Sequence, residues 1–432
     1  MIRVTDRRLD VWCFEEHAGT LVDEIGGLRF SYVTEWKAAD RPPLSQSMPL
    51  SGDFPDSAAA AFFGGLLPEG PPRDVLARHL GVSIGNDFGL LEALGGDTAG
   101  AVSLLRPGTA PGRQGTDVEW LSDDELVRVV EDLPLRPMHA DEDGEYRLSL
   151  AGVQDKLPVI VGPDGRVGLT KGRTPSTHIL KTPIPGLPDT VINEALCPAL
   201  GIELGIEAVV AKPRRVGEAE FLLVERYDRR NDGDGVRRLH QEDFCQALGI
   251  PSNRKYENEG GPGLGDCFAL LRRASAIPAR EAARLLDYIA LSFLVGNHDA
   301  HGKNYSLLYT PQGAKAVLAP AYDVLSTTVY SKVRPVSRKM AMRIGREYRP
   351  DYVRPRHLVA LLADAELGAA AARRRLRALA GDAPGAIREV RVELASSAWD
   401  SAVLDDIIEV VDRRAALLAD IAAPSRAAAR HS

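Results

Sequence analysis

The sequence predicts an α+β chain: a strand-rich lobe followed by a helical lobe, behind a separate β-rich N-terminal domain. Three observations carry this. Two alternating runs, Leu9-Asp-Val-Trp-Cys-Phe14 and Leu28-Arg-Phe-Ser-Tyr-Val33, open the chain as half-buried strands do. Leu157-Pro-Val-Ile-Val161, a Gly-Pro-Asp-Gly turn and Val167-Gly-Leu-Thr170 form a hairpin pattern that begins a second group of strands. Beyond residue 240 the apolar spacing becomes mainly helical.

The elements follow in order. Helical patterning covers Ser57–Phe63 and Arg73–Leu80. The Gly- and Pro-rich stretch 106–115 and the acidic run Asp141-Glu-Asp-Gly-Glu145 are expected as connections. His178-Ile-Leu-Lys181 reads as a strand, Val191–Leu204 as a helix and Glu220–Tyr227 as a strand again. Ala282–Gly296 is the most apolar helix, and Val403–Ile421 carries a wide helical stripe. The expected division is residues 1–105 for the N-terminal domain, 106–146 for a connecting segment, 147–240 for one lobe, 241–423 for the helical lobe and 424–432 for a tail.

Composition excludes several classes. The chain has 432 residues, 44% hydrophobic and 26% charged, so it can bury more than one core without metal or disulfide support. Its four cysteines, Cys13, Cys197, Cys245 and Cys267, form no framework and are expected as reduced thiols. The net charge of -7 argues against a protein that coats nucleic acid by itself. The apolar stretch Tyr288–Gly296 is far short of the ~18 residues a span needs, so no membrane association is expected. The charged start of the chain lacks a signal-peptide pattern, and a cytoplasmic location is expected.

The chemistry concentrates in Gly296-Asn-His-Asp-Ala-His-Gly-Lys-Asn-Tyr-Ser306, directly after the apolar helix. Asp299 and Asn304 have the D-x-x-x-x-N spacing of a protein-kinase catalytic loop, in which the Asp accepts a hydroxyl proton and the Asn holds Mg²⁺. Asp323 follows a strand-like run, where a kinase places its second metal carboxylate. Two hard oxygen ligands suit Mg²⁺ bridged to phosphates. Ser149-Leu-Ala-Gly-Val-Gln-Asp-Lys156 offers small residues whose backbone N–H groups can approach phosphate oxygens. Lys181 can supply positive charge to the α/β-phosphates, and Glu194 on the next helix could hold that lysine. Alternatives stay open at this level. The Asp299 segment could be a polar turn satisfied by its own hydrogen bonds, and His298 with His301 could suggest zinc. No Walker motif is present, and Gly260-Gly-Pro-Gly-Leu-Gly265 does not fit a dinucleotide fingerprint. The order of turn, Lys, Glu, hinge strand, catalytic loop and metal Asp points to a two-lobed protein-kinase-like fold.

Together these residues resemble the HipA family of bacterial serine/threonine kinases, the toxin half of HipA–HipB toxin–antitoxin modules. The resemblance rests on Arg147–Lys156, Ser176–Lys181, Val224-Glu-Arg-Tyr-Asp-Arg229, Leu239–Gly249, Lys255-Tyr-Glu257, Gly260-Gly-Pro-Gly263, Asn297–Asn304 and Ala319–Ser326. Phe62-Phe-Gly-Gly-Leu-Leu-Pro-Glu69 and Gly95-Gly-Asp-Thr-Ala-Gly-Ala-Val102 extend it to the N-terminal domain. It implies Asp299 as catalytic base, Asn304 and Asp323 as Mg²⁺ ligands and Lys181 on the ATP phosphates. It further implies Val153, Gln154, Asp155 and Lys156 in the phosphate loop, and Glu225 and Tyr227 in a hinge whose backbone receives adenine. His301 and Lys303 would help position phosphate, and Ser149 would be an autophosphorylation site. Asp155 stands where Glu is common and Tyr227 where Phe is common, which preserves the chemistry or the ring.

The resemblance implies a toxin that phosphorylates a translation component, an aminoacyl-tRNA synthetase, and so causes growth arrest or persistence. It also implies a HipB-like DNA-binding antitoxin partner, with DNA reached only through that complex. A small-molecule kinase on the same lobes and a non-catalytic subunit bridging an antitoxin remain as alternatives. Within Ser331–Pro350, two Lys and five Arg stand against only Glu347. This basic segment is either a salt-bridged surface or a contact face for an acidic substrate or for DNA.

Overall fold

The structure is a computed structural model and describes residues 7–24, 27–39, 41–109, 117–135, 154–170, 174–231, 235–309, 315–333 and 336–423. The chain opens with strands β1 (Arg8–Cys13), β2 (Glu16–Glu24) and β3 (Gly27–Tyr32). Helices α1 (Thr34–Ala38), α2 (Asp56–Gly64), α3 (Gly70–His79) and α4 (Asp87–Leu94) and strand β4 (Val102–Leu105) follow. Then come β5 (Val118–Trp120), α5 (Asp123–Asp132), β6 (Lys156–Val161), β7 (Val167–Thr170), β8 (His178–Lys181) and α6 (Thr190–Glu203). Next are β9 (Ala211–Val216), β10 (Ala219–Glu225), β11 (Arg229–Asn231), β12 (Val236–Arg238), β13 (His240–Asp243) and α7 (Phe244–Leu248). The chain continues through α8 (Leu264–Ala274), α9 (Pro278–Val295), β14 (Ser306–Tyr309) and β15 (Ala316–Leu318). It closes with α10 (Pro355–Ala365), α11 (Ala369–Ser396) and α12 (Ala402–Ala422).

The described residues fall into two compact units. The first lies within Met1–Thr182, Pro213–Asn253 and Ser306–Ala316, the second within Pro183–Lys212, Arg254–Tyr305 and Val317–Ser432. This division differs from the boundaries read from the sequence. Helix α6 belongs with the second unit because its apolar residues pack against α11 and α12. Strand β13, helix α7 and strand β14 belong with the first, where β13 pairs antiparallel with β14. Residues 118–133, expected as part of a connection, contribute a strand and a helix. β5 pairs with β7, and α5 buries Leu126, Val129 and Val130 against Leu157, Val159, Leu180, Phe221 and Leu223. A capping box between Ser122 and Glu125 starts α5. Residues 1–6, 110–116, 136–153 and 424–432, which include most of the expected 106–115 connection, the acidic run 141–145 and the tail, lie outside the described residues.

The first unit holds two larger sheets beside the smaller pairs β11-β12 and β13-β14. One has the order β3-β2-β1-β4, and the other β5-β7-β6-β8-β10-β9. β1 and β3 alternate buried and exposed positions, as the sequence pattern predicts, and their inward residues join Phe62, Phe63 and Leu91 in one core.

A buried charge cluster within this unit ties the N-terminal turn 96–100 to the segment after β10. Arg226 donates to both oxygens of Asp228, at 2.9 and 2.7 Å, to Ser176 Oγ at 2.9 Å and to the Thr98 carbonyl at 3.1 Å. Asp97 accepts from Arg229 at 2.7 Å and from Ser176 Oγ at 2.8 Å, and pairs with Arg238 at 3.1 Å. The Gly100 N–H donates to Asp228 at 2.7 Å. Burial alone would raise the pKa of Asp97, but Arg229, Arg238 and Arg226 overcome it and hold the carboxyl well below the usual range. Burial opposes and Arg226 and Arg229 favour ionised Asp228, which is held down to about 2. Nearby, buried Glu242 accepts from Ser45 Oγ and Tyr309 Oη, both at 2.5 Å, and from the Gln46 N–H at 3.0 Å. Burial wins there and pushes its pKa up to about 7.

In the second unit, α9 ends in a Schellman arrangement. The Gly296 N–H donates to the Phe293 carbonyl at 3.3 Å and the Asn297 N–H to the Ser292 carbonyl at 2.8 Å. Gly296 has φ +70°, and a Cβ there would lie 2.4 Å from Thr328 Oγ1. Only glycine turns the chain sharply enough here without a clash.

Two predictions follow from these packings. Asp97→Ala leaves Arg226, Arg229 and the partly buried Arg238 with one carboxylate among them and should cost about 3–5 kcal/mol in denaturant unfolding. The stability supplied by Asp97 and Asp228 is full above the ordinary carboxyl value of ~4 and is lost as pH falls through about 2, because their folded pKa values are depressed. An acid titration of unfolding should show wild type losing more stability over this window than Asp97→Ala. Gly296→Ala should cost roughly 1–3 kcal/mol, read as a lower unfolding midpoint for the second unit.

Candidate active site

Of the residues expected to bind nucleotide, Gln154, Asp155, Lys156, Lys181, Glu225 and Tyr227 lie in the first unit, and His301 and Lys303 in the second. Lys156 on β6 and Lys181 on β8 are direct partners across the antiparallel ladder, so their side chains share one face of the sheet. Both are buried. An anion against that face would be drawn to both lysines. The turn before β6 is fastened to the same strand end. Gln154 Nε2 donates to the Thr182 carbonyl at 2.8 Å, and the Thr182 N–H donates to the Asp155 carbonyl at 3.3 Å. Half-burial raises the pKa of Asp155. Val153 and Ser149 lie outside the described residues.

Glu225, at the end of β10, is exposed and pairs with His178 in the ladder. The Arg226 N–H donates to the Thr177 carbonyl at 3.0 Å, extending that ladder by one bond. Tyr227 uses its hydroxyl on Gln241 Oε1. Residues 225–227 therefore leave the sheet at a point fixed by the Asp97–Arg226–Asp228 cluster. The sequence showed the 95–102 motif, but no pattern indicated that Asp97 would be buried against this segment.

The residues expected to do chemistry lie in the second unit, on the loop after α9. Asn297 is buried and organises the loop. Its Oδ1 accepts from the Asp299 N–H at 3.0 Å, and its Nδ2 donates to the Asp323 carbonyl at 3.4 Å. The His298 N–H donates to Thr327 Oγ1 at 2.9 Å, and His298 Nδ1 donates to the Ser337 carbonyl at 2.7 Å. Burial lowers the His298 pKa, so the ring is a neutral anchor, and zinc is not needed to explain it. The Asp299 carbonyl accepts from the His301 N–H at 2.8 Å. His301 and Lys303 are both buried, and the Lys303 carbonyl accepts from Tyr322 Oη at 2.6 Å.

Asp323 is also held by its neighbours. Ala321 bridges in parallel to Ala208, and Asn193 on α6 grips Ser326 through both backbone groups, at 2.9 and 2.8 Å. Asn193 carried no signal in the sequence, whereas its neighbour Glu194 did; Glu194 is buried on the same helix. Asp323 itself adopts φ +52°, a left-handed conformation that a non-glycine residue keeps only when its surroundings impose it.

The donor set suits a hard divalent cation. Asn304 Oδ1 is buried, and among the described residues no donor reaches it. A buried amide oxygen without a donor is costly unless something positive occupies its lone pairs. Asn304 and Asp323, the two residues expected as metal ligands, would together offer two oxygen ligands. That fits Mg²⁺, which takes one or two protein oxygens and completes its shell from phosphate and water.

The basic segment is partly neutralised. Arg343 pairs with Glu257 at 2.8 Å, Arg349 with Glu347 at 3.5 Å and Lys332 with Asp406 at 3.1 Å. Arg338, Lys339 and Arg346 are exposed, without a carboxylate partner among the described residues. Glu347 is therefore not the only counter-charge, because Glu257 and Asp406 arrive from elsewhere in the chain.

The chain is similar to known proteins over most of its length. Residues 9–105 match the HipA N-terminal domain and residues 148–388 the HipA-like C-terminal domain. A Sinorhizobium fredii protein bearing the name "Putative kinase Y4mE" is 42% identical over 96% of this chain and 99% of its own. The serine/threonine-protein kinase toxin HipA of Shewanella oneidensis is 33% identical over 81% of this chain and 82% of its own. A structure of the Shewanella oneidensis toxin–antitoxin system, HipA with HipB and operator DNA, matches with a TM-score of 0.79 at 29% identity, covering 96% of both chains. Among the described residues no helix is long and apolar enough to cross a membrane. The chain belongs to the HipA family of serine/threonine kinase toxins.

Proposed function

We propose that the chain transfers the γ-phosphate of ATP to a serine or threonine hydroxyl of a protein, with Asp299 as the base. The observation that carries this is the loop itself: Asp299 is fixed by Asn297, which also holds Asp323, while Asn304 offers a buried oxygen with no donor. In the reaction the acceptor oxygen bonds to the γ-phosphorus, the bond to the β-phosphate oxygen breaks, and the acceptor proton passes to Asp299. ADP leaves. Phosphoryl transfer asks for positioning and charge neutralisation more than covalent chemistry, which suits a preorganised loop. Lys181 and Lys156 hold the α/β-phosphates, with Val153, Gln154 and Asp155 in the phosphate loop and Lys303 and His301 beside the transferred group. The backbone of Glu225–Tyr227 receives adenine. Asn304 and Asp323 would hold Mg²⁺, which supplies charge neutralisation on the phosphate oxygens.

The acceptor is an aminoacyl-tRNA synthetase, and the outcome is growth arrest or persistence. The family resemblance supports this reading. A HipB-like antitoxin is the expected partner, supported by the likeness to the Shewanella oneidensis HipA–HipB–operator complex. DNA is reached through that partner, in the cytoplasm. Ser149 is the autophosphorylation site.

Three measurements test this. Asp299→Asn should bind ATP as wild type does and lose about 10²–10⁴-fold in transfer. Phosphoproteomics after brief expression should then show synthetase phosphosites with wild type and none with Asp299→Asn; identical patterns would remove the substrate assignment. Asp323→Ala should abolish the difference between ATP affinity in Mg²⁺ and in EDTA, measured by titration calorimetry. A retained Mg²⁺ dependence would take Asp323 out of the metal site.

A further inference from the structure

The sequence run Lys255-Tyr-Glu257 followed by Gly260-Gly-Pro-Gly263 has no part in the reaction as described so far. In the structure it lies along the loop that carries Asp299. Tyr256 Oη donates to Asp299 Oδ1 at 2.7 Å. The Tyr256 ring meets the His301 ring edge-on, with centroids 5.1 Å apart. The Lys255 carbonyl accepts from the Gly302 N–H at 3.2 Å. Tyrosine and loop are therefore joined through side chain, ring and backbone at once.

The tyrosine is itself held from behind. The Glu257 N–H donates to the Ala341 carbonyl at 3.3 Å, and the Ala341 N–H donates to the His298 carbonyl at 2.8 Å. The Glu257 carboxylate accepts from the Arg343 N–H at 2.7 Å and from Arg343 Nε at 2.8 Å. The chain then folds back tightly, with the Gly261 N–H donating to the Tyr256 carbonyl at 2.9 Å. A Cβ at Gly261 would stand 2.3 Å from the Arg254 carbonyl oxygen, so the return admits no side chain. Three segments, 254–263, 298–302 and 341–343, thus brace one another.

We propose that Tyr256 is the positioning residue of the proposed base, setting the rotation of the Asp299 carboxylate through its hydroxyl. The proposal rests on Asp299 being that base. An Asp side chain turns broadly about its last torsion, while a base works only within hydrogen-bond reach and alignment of the proton it takes. Asp299 is held at both ends: its N–H by Asn297 and its carboxylate by Tyr256. A carboxylate has about four lone-pair sites, so one tyrosine hydrogen bond orients it without exhausting its capacity to accept a proton. Tyr256 touches neither substrate nor nucleotide in this account; it acts through Asp299.

Tyr256→Phe removes the hydroxyl and keeps the ring against His301. The test uses the full chain with γ-labelled Mg-ATP and follows label into the chain itself and into a bacterial cell extract. The rate constant at saturating ATP should fall about 10- to 100-fold, with half-saturating ATP within about twofold of wild type and an unchanged unfolding midpoint. Adding Tyr256→Phe to Asp299→Asn should cost no further activity, because the tyrosine works only through the aspartate. A wild-type or faster rate for Tyr256→Phe overturns the proposal, the faster rate meaning that the hydroxyl blocks the acceptor position. A loss of rate matched by a lowered unfolding midpoint, or a further loss in the double variant, also overturns it. Asp299→Asn in the same assay separates the two readings. If it retains wild-type transfer, the base assignment fails; if it is inactive while Tyr256→Phe is normal, only the tyrosine proposal fails.

Discussion

The Asp97 carboxylate, buried among Arg226, Arg229 and Arg238, is the constraint on which the first unit depends. Burying so many charges is expensive, and the arrangement survives only because each finds a partner with good geometry. That requirement makes it exacting. Asp97 comes from the N-terminal region, Ser176 from the approach to β8, and Arg226 and Asp228 from the segment after β10. None can shift without stranding a charge. The N-terminal domain is therefore not an independent appendage to the six-stranded sheet, since one of its turns supplies the carboxylate that fixes where that sheet ends. Surface pairs such as Arg29 with Glu24 carry no such leverage, because water replaces either partner at little cost.

The second unit solves a different problem with neutral groups. Its loop must hold an acid and an amide in fixed positions while leaving them able to meet a ligand. Asn297 does most of this, closing a turn onto the Asp299 backbone and reaching the Asp323 carbonyl. Gly296 lets the loop leave the helix at the needed angle, and Thr327 and Ser337 take up the His298 backbone and ring. The left-handed Asp323 and the donorless Asn304 oxygen are departures from local comfort. Such departures collect where a protein binds something the folded chain alone does not supply.

Much of this was legible in the sequence, and the reason is range. The D-x-x-x-x-N spacing, the strand before Asp323, the hairpin at 157–170 and the apolar helix before the loop are all local patterns, set within about a dozen residues. What was not legible depends on distant partners. Tyr256 and Asp299 are 43 positions apart, and Asp97 and Arg229 are 132 apart. Asn193 looks like any polar helix residue until Ser326 is found against it. The strand Val118–Trp120 is too short to announce itself, and it becomes a strand only because β7 pairs with it. Helix α6 was legible along the chain, but its packing against α11 and α12 was not, since periodicity shows which face is apolar and not what covers it. The basic run 331–350 was countable, but its counter-charges, Glu257 and Asp406, lie far away in sequence.

The central claim is that Asp299, on its braced loop, takes the acceptor proton in phosphoryl transfer from ATP. Its most direct test is incorporation of γ-labelled phosphate by the purified full-length chain with Mg²⁺, comparing wild type with Asp299→Asn at equal ATP occupancy. Label entering protein with wild type, and falling to background with Asp299→Asn, is the result expected. No transfer by wild type to itself or to any cell extract, or equal transfer by both proteins, would contradict it.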